Sequence, residues 1–273
     1  MSYKAAYTAF WLLNLVLLGF VWKWIRPDIE MITFAPLWVI LVTGQDSILL
    51  LFVLAASLMC IRHNRMFVAG LVLGCGMFRF QHLLPIVVLF VAWREWRLIT
   101  GFILSALGTV ALSASLTDLR SYVAILRLTI AHPELYAPIE RMPDLRGLLH
   151  ALHQTELLLA VGTLVMVVAF FRGRSQSNEQ RMARAIWTVA IVSFHFFIHD
   201  MVILAIPMSA VRSDRTKLLM LSATAFALLN VDVYIVVIAT IICAVLSERR
   251  SMTVPVQLDP AIANNRVIHK GAA

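Results

Sequence analysis

Arg79 has the clearest chemical potential of any side chain in this sequence. It stands within Phe78-Arg79-Phe80-Gln81-His82, a short polar interruption between two apolar segments. A guanidinium group donates paired hydrogen bonds to phosphate oxygens. Arg79 could therefore bind an anionic substrate carried by a lipid, with Gln81 and His82 beside it. The alternative is that the Arg79 side chain only extends toward lipid head groups.

A second polar interruption, Gly44-Gln45-Asp46-Ser47, lies where one apolar segment ends and another begins. Gln45 and Asp46 could face a polar substrate at the membrane surface. The alternative is structural: Gly44 ends the first helix in the left-handed conformation, and Asp46 or Ser47 caps the second helix. The sequence pattern is compatible with both interpretations.

His199 and Asp200 end one apolar run and begin the next. Asp200 could orient His199, which shares a helical face with His195 one turn earlier. It could instead cap the following helix, and this is the preferred interpretation, as it is for Asp232 beside Asn230. His199 and Asp200 are also candidate substrate-binding residues.

The element Met142-Pro143-Asp144-Leu145-Arg146-Gly147-Leu148 combines a helix start with a basic side chain. Asp144 can cap the helix that follows, and Arg146 beside a helix N-terminus could hold a phosphate group. His150 and His153 are three residues apart, but no third ligand accompanies them. We therefore expect no metal and no cofactor.

The elements that carry these residues are predicted to be membrane helices. Apolar residues make up 61% of the 273 residues and charged residues only 14%, whereas a soluble domain is about half apolar and a quarter charged. The lengths of the apolar runs predict an all-α, polytopic transmembrane bundle of about 9–11 membrane segments. Residues 1–250 would form this domain, followed by a flexible cytoplasmic tail over 251–273.

The positively charged residues are sorted to one side when the apolar segments are threaded through a membrane. By the positive-inside rule the basic side is cytoplasmic, so the polar interruptions and the N-terminus lie on the extracytoplasmic face of the cell membrane. One predicted cytoplasmic loop is marked by Arg172, Arg174, Arg181 and Arg184. The net charge of +8 is therefore a topology signal, and no nucleic-acid partner is expected.

Two expectations concern local structure on the polar side. Residues 66–78 and 83–93 are predicted to run in opposite directions, with Arg79 at the turn. The external segment 117–153 is predicted to begin with an interfacial amphipathic helix, which three prolines then interrupt. A second short helix is predicted before the next span, from the leucines Leu145, Leu148, Leu149 and Leu152.

In their order and spacing, these motifs resemble the later part only of a glycosyltransferase family 87 protein, from about Tyr7 to about Leu246. Proteins of this family are multi-pass enzymes of the GT-C type. The motifs that carry the resemblance are Gly44-Gln45-Asp46-Ser47, Ala69-Gly70-Leu71-Val72-Leu73-Gly74, Phe78-Arg79-Phe80-Gln81, Trp93-Arg94-Glu95-Trp96-Arg97 with Gly101, Met142-Pro143-Asp144-Leu145-Arg146-Gly147-Leu148, and His199-Asp200.

The resemblance implies a GT-C-like fold and transfer of a hexose, with mannose a candidate, from a polyprenyl-phosphate sugar to a lipid or glycan acceptor. Such chemistry needs a carboxylate base for the acceptor hydroxyl and cations for the phosphate leaving group. Lys is familiar in relatives at the position of Arg79, and Asn is more usual at the position of Asp144. Candidate substrate-binding residues are Gln45, Asp46, Arg79, Gln81, His82, Arg146, His199 and Asp200.

The sequence departs from the GT-C pattern at its beginning. The catalytic Asp of such enzymes is expected in an external loop after the first transmembrane helix, and residues 1–6 contain no acidic residue. We therefore expect preceding helices in a longer native protein, or an N-terminal partner half. The catalytic residue is unassigned, and this chain alone could be inactive.

Two other classes of function fit the same composition: a polytopic lipid or solute transporter, and a non-catalytic membrane subunit. A polar track across the bilayer would favour transport. Polar groups gathered at one face would favour transfer.

Overall fold

A computed structural model describes residues 2–116, 123–124, 127–128, 139, 142–193, 196–211, 214–228 and 234–250. These residues form helices and turns, with no β-strand among them. The α-helices are α1 (Tyr3–Ile25), α2 (Ala35–Thr43), α3 (Ser47–Arg62), α4 (Met66–Gly74), α5 (Phe80–Ala92), α6 (Trp96–Leu116), α7 (Leu145–Ala151), α8 (Leu158–Gly173), α9 (Asn178–Val192), α10 (Ala205–Ser209), α11 (Asp214–Leu228) and α12 (Tyr234–Arg250).

Short 3-10 helices connect several of these elements, at Ile29–Thr33, Cys75–Arg79, Thr155–Leu157 and Asp200–Leu204. Several predicted features lie outside the described residues: most of the proposed interfacial helix, His195, the Asn230 and Asp232 pair, and the tail 251–273.

Among the residues that the structure describes, four helical stretches have the length and apolar composition of a membrane span: Tyr3–Ile25, Met66–Ala92, which is interrupted at Arg79, Trp96–Leu116 and Thr155–Gly173. Shorter apolar helices accompany them at Ser47–Arg62, Asp200–Ser209 and Ile235–Leu246. Large apolar side chains such as Leu107 and Leu159 are exposed on these helices, as expected for a surface that faces lipid. The predicted class, an all-α membrane bundle, is confirmed.

The chain reverses direction at Arg79, as the sequence predicts. Arg79 has φ −121° and ψ 48°, which interrupts the helical backbone between α4 and α5. Gly70 lies against Leu98, and Gly74, one turn later in α4, lies against Phe102, one turn later in α6. The helices α4 and α6 are therefore parallel. Because α6 begins soon after α5 ends, α5 must run back in the opposite direction.

Contacts of α3 and α9 define two ends of the bundle. At one end, which we call the basic end, Arg62 Nε donates to Glu179 Oε1 at 2.7 Å and Arg181 Nη1 donates to Glu95 Oε1 at 2.6 Å. At the other end, which we call the Asp200 end, α3 begins beside Asp200. The basic connections and the polar interruptions are therefore at opposite ends of the same helices.

The predicted loop that contains Arg181 and Arg184 is helical, which corrects the sequence interpretation. α9 begins at Asn178, and a reciprocal capping box between Ser177 and Gln180 starts it. Arginine is a good helix former, so its charge marks the basic end without marking a loop.

Two predictions about helix ends are confirmed. Gly44 ends α2 in the left-handed conformation, with φ 66° and ψ 34°. Asp144 caps α7, where its Oδ1 accepts the backbone N–H of Gly147 at 2.9 Å. The predicted short helix before the next span is therefore present at Leu145–Ala151.

We expect Gly101→Ala to destabilise the contact between α4 and α6. A Cβ at Gly101 would lie 2.1 Å from the backbone oxygen of Phe67, so the two helices would have to separate. The cost should be roughly 1–3 kcal/mol, as for other overpacked sites.

Gly108→Ala in the same helix is the matched control, because a Cβ there would meet no heavy atom within 4 Å. That change should be neutral or stabilising by up to about 1 kcal/mol, since Ala has the higher helix propensity. Thermal unfolding in detergent measures both variants. Equal melting temperatures for the two would contradict the close contact.

Candidate functional site

Arg79 lies at the Asp200 end, between an exposed and a buried carboxylate. Its guanidinium group donates two hydrogen bonds to Asp46 Oδ1, one of them from Nε at 3.1 Å. Its Nη1 lies 3.6 Å from Oδ1 of Asp200. The side chain of Arg79 is 13% exposed, that of Asp46 38% and that of Asp200 0%. Arg79 therefore contacts one carboxylate at the surface and one in the interior of the protein.

Asp200 is the buried anchor of this site. Its Oδ1 accepts the hydroxyl hydrogen of Ser47 at 2.6 Å, and its Oδ2 accepts the backbone N–H of Phe197 at 3.1 Å. A buried carboxylate is tolerated only with such partners and a nearby cation. Asp200 lies within a 3-10 helix whose N-cap position is His199. The preferred interpretation of Asp200 as a helix cap is therefore wrong.

Asp46 occupies the N-cap position of α3, but its side chain makes no capping hydrogen bond. The carboxylate turns instead to Arg79, and the neighbouring Ser47 hydroxyl turns to Asp200. The structural alternative for Asp46, helix capping, is thus not what its side chain does.

His82 is fully buried in the first turn of α5 and connects two segments of the site. Its Nδ1 lies 3.0 Å from the hydroxyl oxygen of Ser193, and its Nε2 lies 3.5 Å from Oδ2 of Asp200. Its ring packs edge-on against Phe196, with 5.3 Å between centroids. Ser193, His82 and Asp200 follow one another as in a hydrolase triad. Because Ser193 is only 2% exposed, its hydroxyl is not accessible to a substrate as a nucleophile. The three side chains instead hold their segments in position.

His199 lies beside the same carboxylate. Its Nε2 is 3.7 Å from Oδ1 of Asp200, and its ring stacks on Phe197 with centroids 5.6 Å apart. The sequence expectation that these two neighbours interact agrees with this geometry. His199 is partly exposed, so it can reach a molecule bound at the surface.

The remaining predicted site residues are Gln45, Gln81 and Arg146. Gln45 lies in the turn between α2 and α3, and Gln81 in the first turn of α5; both are half-buried. Among the described residues, neither side chain joins the hydrogen bonds around Arg79. Arg146 is in the first turn of α7, half-buried, and its charge acts on Asp144.

Asp144 connects α7 to the site. Its carboxylate is buried, and the backbone N–H groups of Gly147, Arg146 and Phe196 all act on it. Because Phe196 packs on His82, only Phe196 separates Asp144 at the start of α7 from the buried residues His82 and Asp200. Asp144 lies outside the membrane-spanning stretches, and burial raises its pKa to about 7, although those N–H groups and Arg146 favour its charged form.

We expect the contribution of Asp144 to the stability of the protein to fall as the pH rises from about 4 to about 7. The pKa of Asp144 in the folded state lies above its ordinary value, so the folded chain binds more protons than the unfolded chain across this window. Asp144→Asn keeps a capping oxygen but removes the ionisation. Its melting temperature should change less than that of the parent between pH 4.5 and 7.5. An unchanged pH profile in the variant would contradict this assignment.

Ser47 and Ser193 are the site residues that sequence reasoning missed. The sequence pattern predicts only a helix cap at Ser47 and no role for Ser193. Ser47 belongs to a polar motif at the start of an apolar run, and that position is the signal by which it could have been found. Ser193 lies inside an apolar run, six residues before His199, and its polarity within that run is its only local signal. No group of three or more His, Cys, Asp or Glu residues in the described part of the chain could hold a metal ion.

The sequence model of the family described as glycosyltransferase family 87 matches residues 1–199 of the chain. The chain belongs to glycosyltransferase family 87. Membership in family 87 points to a membrane glycosyltransferase, which agrees with the apolar helices. No curated protein and no solved structure matches the chain.

The family 87 match differs in extent from the resemblance noted in the sequence. It begins at the first residue and ends at residue 199, whereas the motifs were expected to align from about Tyr7 to about Leu246. The expectation that the resemblance concerns the later part only is not borne out. Of the candidate site residues, Asp200 alone falls outside the match, immediately after its end.

Proposed function

We propose that this family 87 protein binds a polyprenyl-phosphate hexose through Arg79 and transfers the hexose, with mannose the first candidate, to a lipid or glycan acceptor. The observation that carries the proposal is the position of Arg79. On its buried side Arg79 pairs with Asp200, and on its surface side it pairs with Asp46. Arginine in such a setting is a preorganised partner for a phosphate group.

Charge balance suggests how the donor would be accommodated. Asp46 and Asp200 together carry two negative charges around the single positive charge of Arg79. A bound phosphate would be repelled unless Asp46 moves away. Asp200 cannot leave, because Ser47 and the backbone of Phe197 hold it in the interior. We therefore expect the donor phosphate to replace Asp46 on Arg79 while Asp200 keeps Arg79 in place.

The released Asp46 is the candidate base on this chain. Its carboxylate would accept the proton of the acceptor hydroxyl as that oxygen bonds to the anomeric carbon of the hexose. The bond between the anomeric carbon and the phosphate oxygen breaks, and the electron pair leaves with the polyprenyl phosphate. Arg79 stabilises the charge on that leaving group. Asp46 is the one residue to which we assign the role of general base. A base supplied by an N-terminal partner half would take the place of Asp46.

The proposed active face is extracytoplasmic. The basic end carries the paired arginines Arg62 and Arg181, and the Asp200 end carries the proposed site. By the positive-inside rule the basic end lies in the cytoplasm. The polar groups lie together at the opposite end of the bundle. This arrangement supports a glycosyltransferase over a transporter, because a transporter needs polar groups along a path across the bilayer.

The direct test is a transfer assay with the purified full chain in proteoliposomes, using a radiolabelled polyprenyl-phosphate mannose and a lipid extract as acceptor. We expect label to move into a new lipid or glycan product. Donor binding without transfer would assign the chain a donor-binding role that needs a partner half. Absence of donor binding would overturn the proposal and favour a non-catalytic subunit.

A further inference from the structure

Two side chains of α1 donate hydrogen bonds to the last turn of α2, just before the turn of residues 44–46. Tyr7 Oη donates to the backbone oxygen of Val42 at 3.1 Å, and Trp11 Nε1 donates to that of Leu41 at 3.0 Å. The last carbonyl groups of a helix have no partner within the helix itself. Tyr7 and Trp11 therefore supply hydrogen bonds that the end of α2 needs.

The ring of Tyr7 also lies directly against the 44–46 turn. A Cβ atom at Gly44 would lie 2.8 Å from Cε2 of Tyr7, and Gly44 has φ 66°. Both the close approach and the left-handed backbone favour glycine at this position. α1 thus contacts the segment at three points, which are the carbonyl groups of Leu41 and Val42 and the backbone of Gly44.

The other end of α1 is fixed to α3, so the helix can act as a rigid support. Arg62 Nη1 donates to the backbone oxygen of Trp24 at 3.3 Å, and the ring centroids of Trp24 and Phe52 are 5.3 Å apart. Val21 and Ile25 are buried on the same helix. α1 therefore extends from the 44–46 turn at the Asp200 end to the basic end.

The carboxylate of Asp46 depends on this support because it has few restraints of its own. It makes no capping hydrogen bond to α3, and its described hydrogen bonds both come from Arg79. In the proposed exchange, the donor phosphate takes the place of Asp46 on Arg79. The released carboxylate is then positioned by the backbone of the 44–46 turn, which α1 holds.

We propose that Tyr7 and Trp11 are positioning residues, which hold the 44–46 turn so that the released Asp46 reaches the acceptor hydroxyl. This inference rests on the proposed function, in which Asp46 is the general base. Both side chains act through backbone groups of α2 and the turn. Misplacement of a reacting group by about 1 Å can cost about a hundredfold in rate. Loss of these contacts should therefore slow transfer while the Arg79 site keeps its affinity for the donor.

The test is the double variant Tyr7→Phe, Trp11→Phe, which removes the two donor groups and keeps both aromatic rings. The full chain in proteoliposomes is given radiolabelled polyprenyl-phosphate mannose and the lipid extract. Single-turnover transfer should fall by about tenfold or more, and equilibrium affinity for the donor should stay within about twofold of the parent's.

Trp38→Phe is the matched control. It removes a hydrogen bond of the same kind from α2, the one that Trp38 Nε1 donates to the backbone oxygen of Ile32 at 2.6 Å. That bond lies on the side of α2 away from the 44–46 turn. Transfer and donor affinity should both equal the parent's.

The same double variant made together with Asp46→Asn separates positioning of the base from a general loss of stability. If Tyr7 and Trp11 act through Asp46, transfer that Asp46→Asn has already slowed should fall no further, because coupled residues are not additive. The single variant Tyr7→Phe alters only an exposed hydroxyl, and it keeps the inference testable if the double variant does not fold. Its loss of transfer should be smaller, about threefold, and should likewise disappear with Asp46→Asn.

Hydrogen exchange tests the hold on the turn without any transfer. The N–H of Gly44 donates to Ile40 at 2.8 Å, and the N–H of Leu49 donates to Asp46 at 2.9 Å. Exchange of these two amide hydrogens, measured on the full chain in detergent, should be about fivefold or more faster in the double variant. It should be unchanged in Trp38→Phe.

The failure of this inference differs from the failure of the proposed function. A parent that neither binds nor transfers the donor would overturn the proposed function and the role of the turn in transfer, whereas faster amide exchange would still support the hold of α1 on the turn. Unchanged exchange in the double variant would overturn that hold. Equal losses of transfer with and without Asp46→Asn, or a parallel loss of donor affinity, would reduce Tyr7 and Trp11 to a general structural role.

Discussion

Arg79→Ala is expected to lower the affinity for a polyprenyl-phosphate sugar by about tenfold to a hundredfold, because charge-assisted hydrogen bonds to phosphate contribute about 1.5–3 kcal/mol. The reason lies in the position of this guanidinium group at the boundary between the exposed Asp46 and the buried Asp200. Removing the cation also leaves two carboxylates facing the incoming phosphate. Binding of a fluorescent polyprenyl-phosphate mannose to the purified protein measures the effect.

Arg79→Lys distinguishes loss of binding from loss of folding. Lysine keeps the positive charge at this position. The Lys variant should retain most of the affinity, losing only the paired geometry of the guanidinium group. Both variants should insert in the membrane, which fractionation checks. Donor binding by Arg79→Ala at the parent's affinity would remove Arg79 from the site.

Asp46→Asn is expected to separate donor binding from transfer. The amide cannot form an ion pair with Arg79, so the donor phosphate no longer has to displace a carboxylate. Affinity for the donor should be equal to or higher than that of the parent. Transfer should fall by about a hundredfold or more, the usual contribution of a general base. Single-turnover transfer and equilibrium donor binding, measured on the same preparation, give the two quantities.

Glu30→Gln is the control for Asp46→Asn, because it removes one negative charge from an exposed residue that lies away from the Arg79 site. It should leave both quantities unchanged. Full transfer by Asp46→Asn would show that Asp46 is not the base. Weaker donor binding in Asp46→Asn would contradict the proposed exchange of partners on Arg79, even if transfer also falls.

Local sequence signals were sufficient for the membrane class, the turn at Arg79 and several helix ends. Long apolar runs can satisfy their backbone groups in a membrane only as helices, so composition predicts the class directly. Gly44 and Asp144 act on neighbouring backbone atoms, which is why their roles as a helix end and a helix cap were predictable. The polar motifs also identified family 87 before any tertiary contact was considered.

Only the tertiary structure decided which polar residues meet. Ser47 and Asp200 are 153 positions apart in the chain, and His82 and Ser193 are 111 apart. An aspartate at a helix start has the same local pattern whether it caps that helix or pairs with a distant cation. The pairing of Asp46 with Arg79, and the burial of Asp200 behind it, depend on how α3, α5 and the segment after α9 pack, which no local pattern encodes.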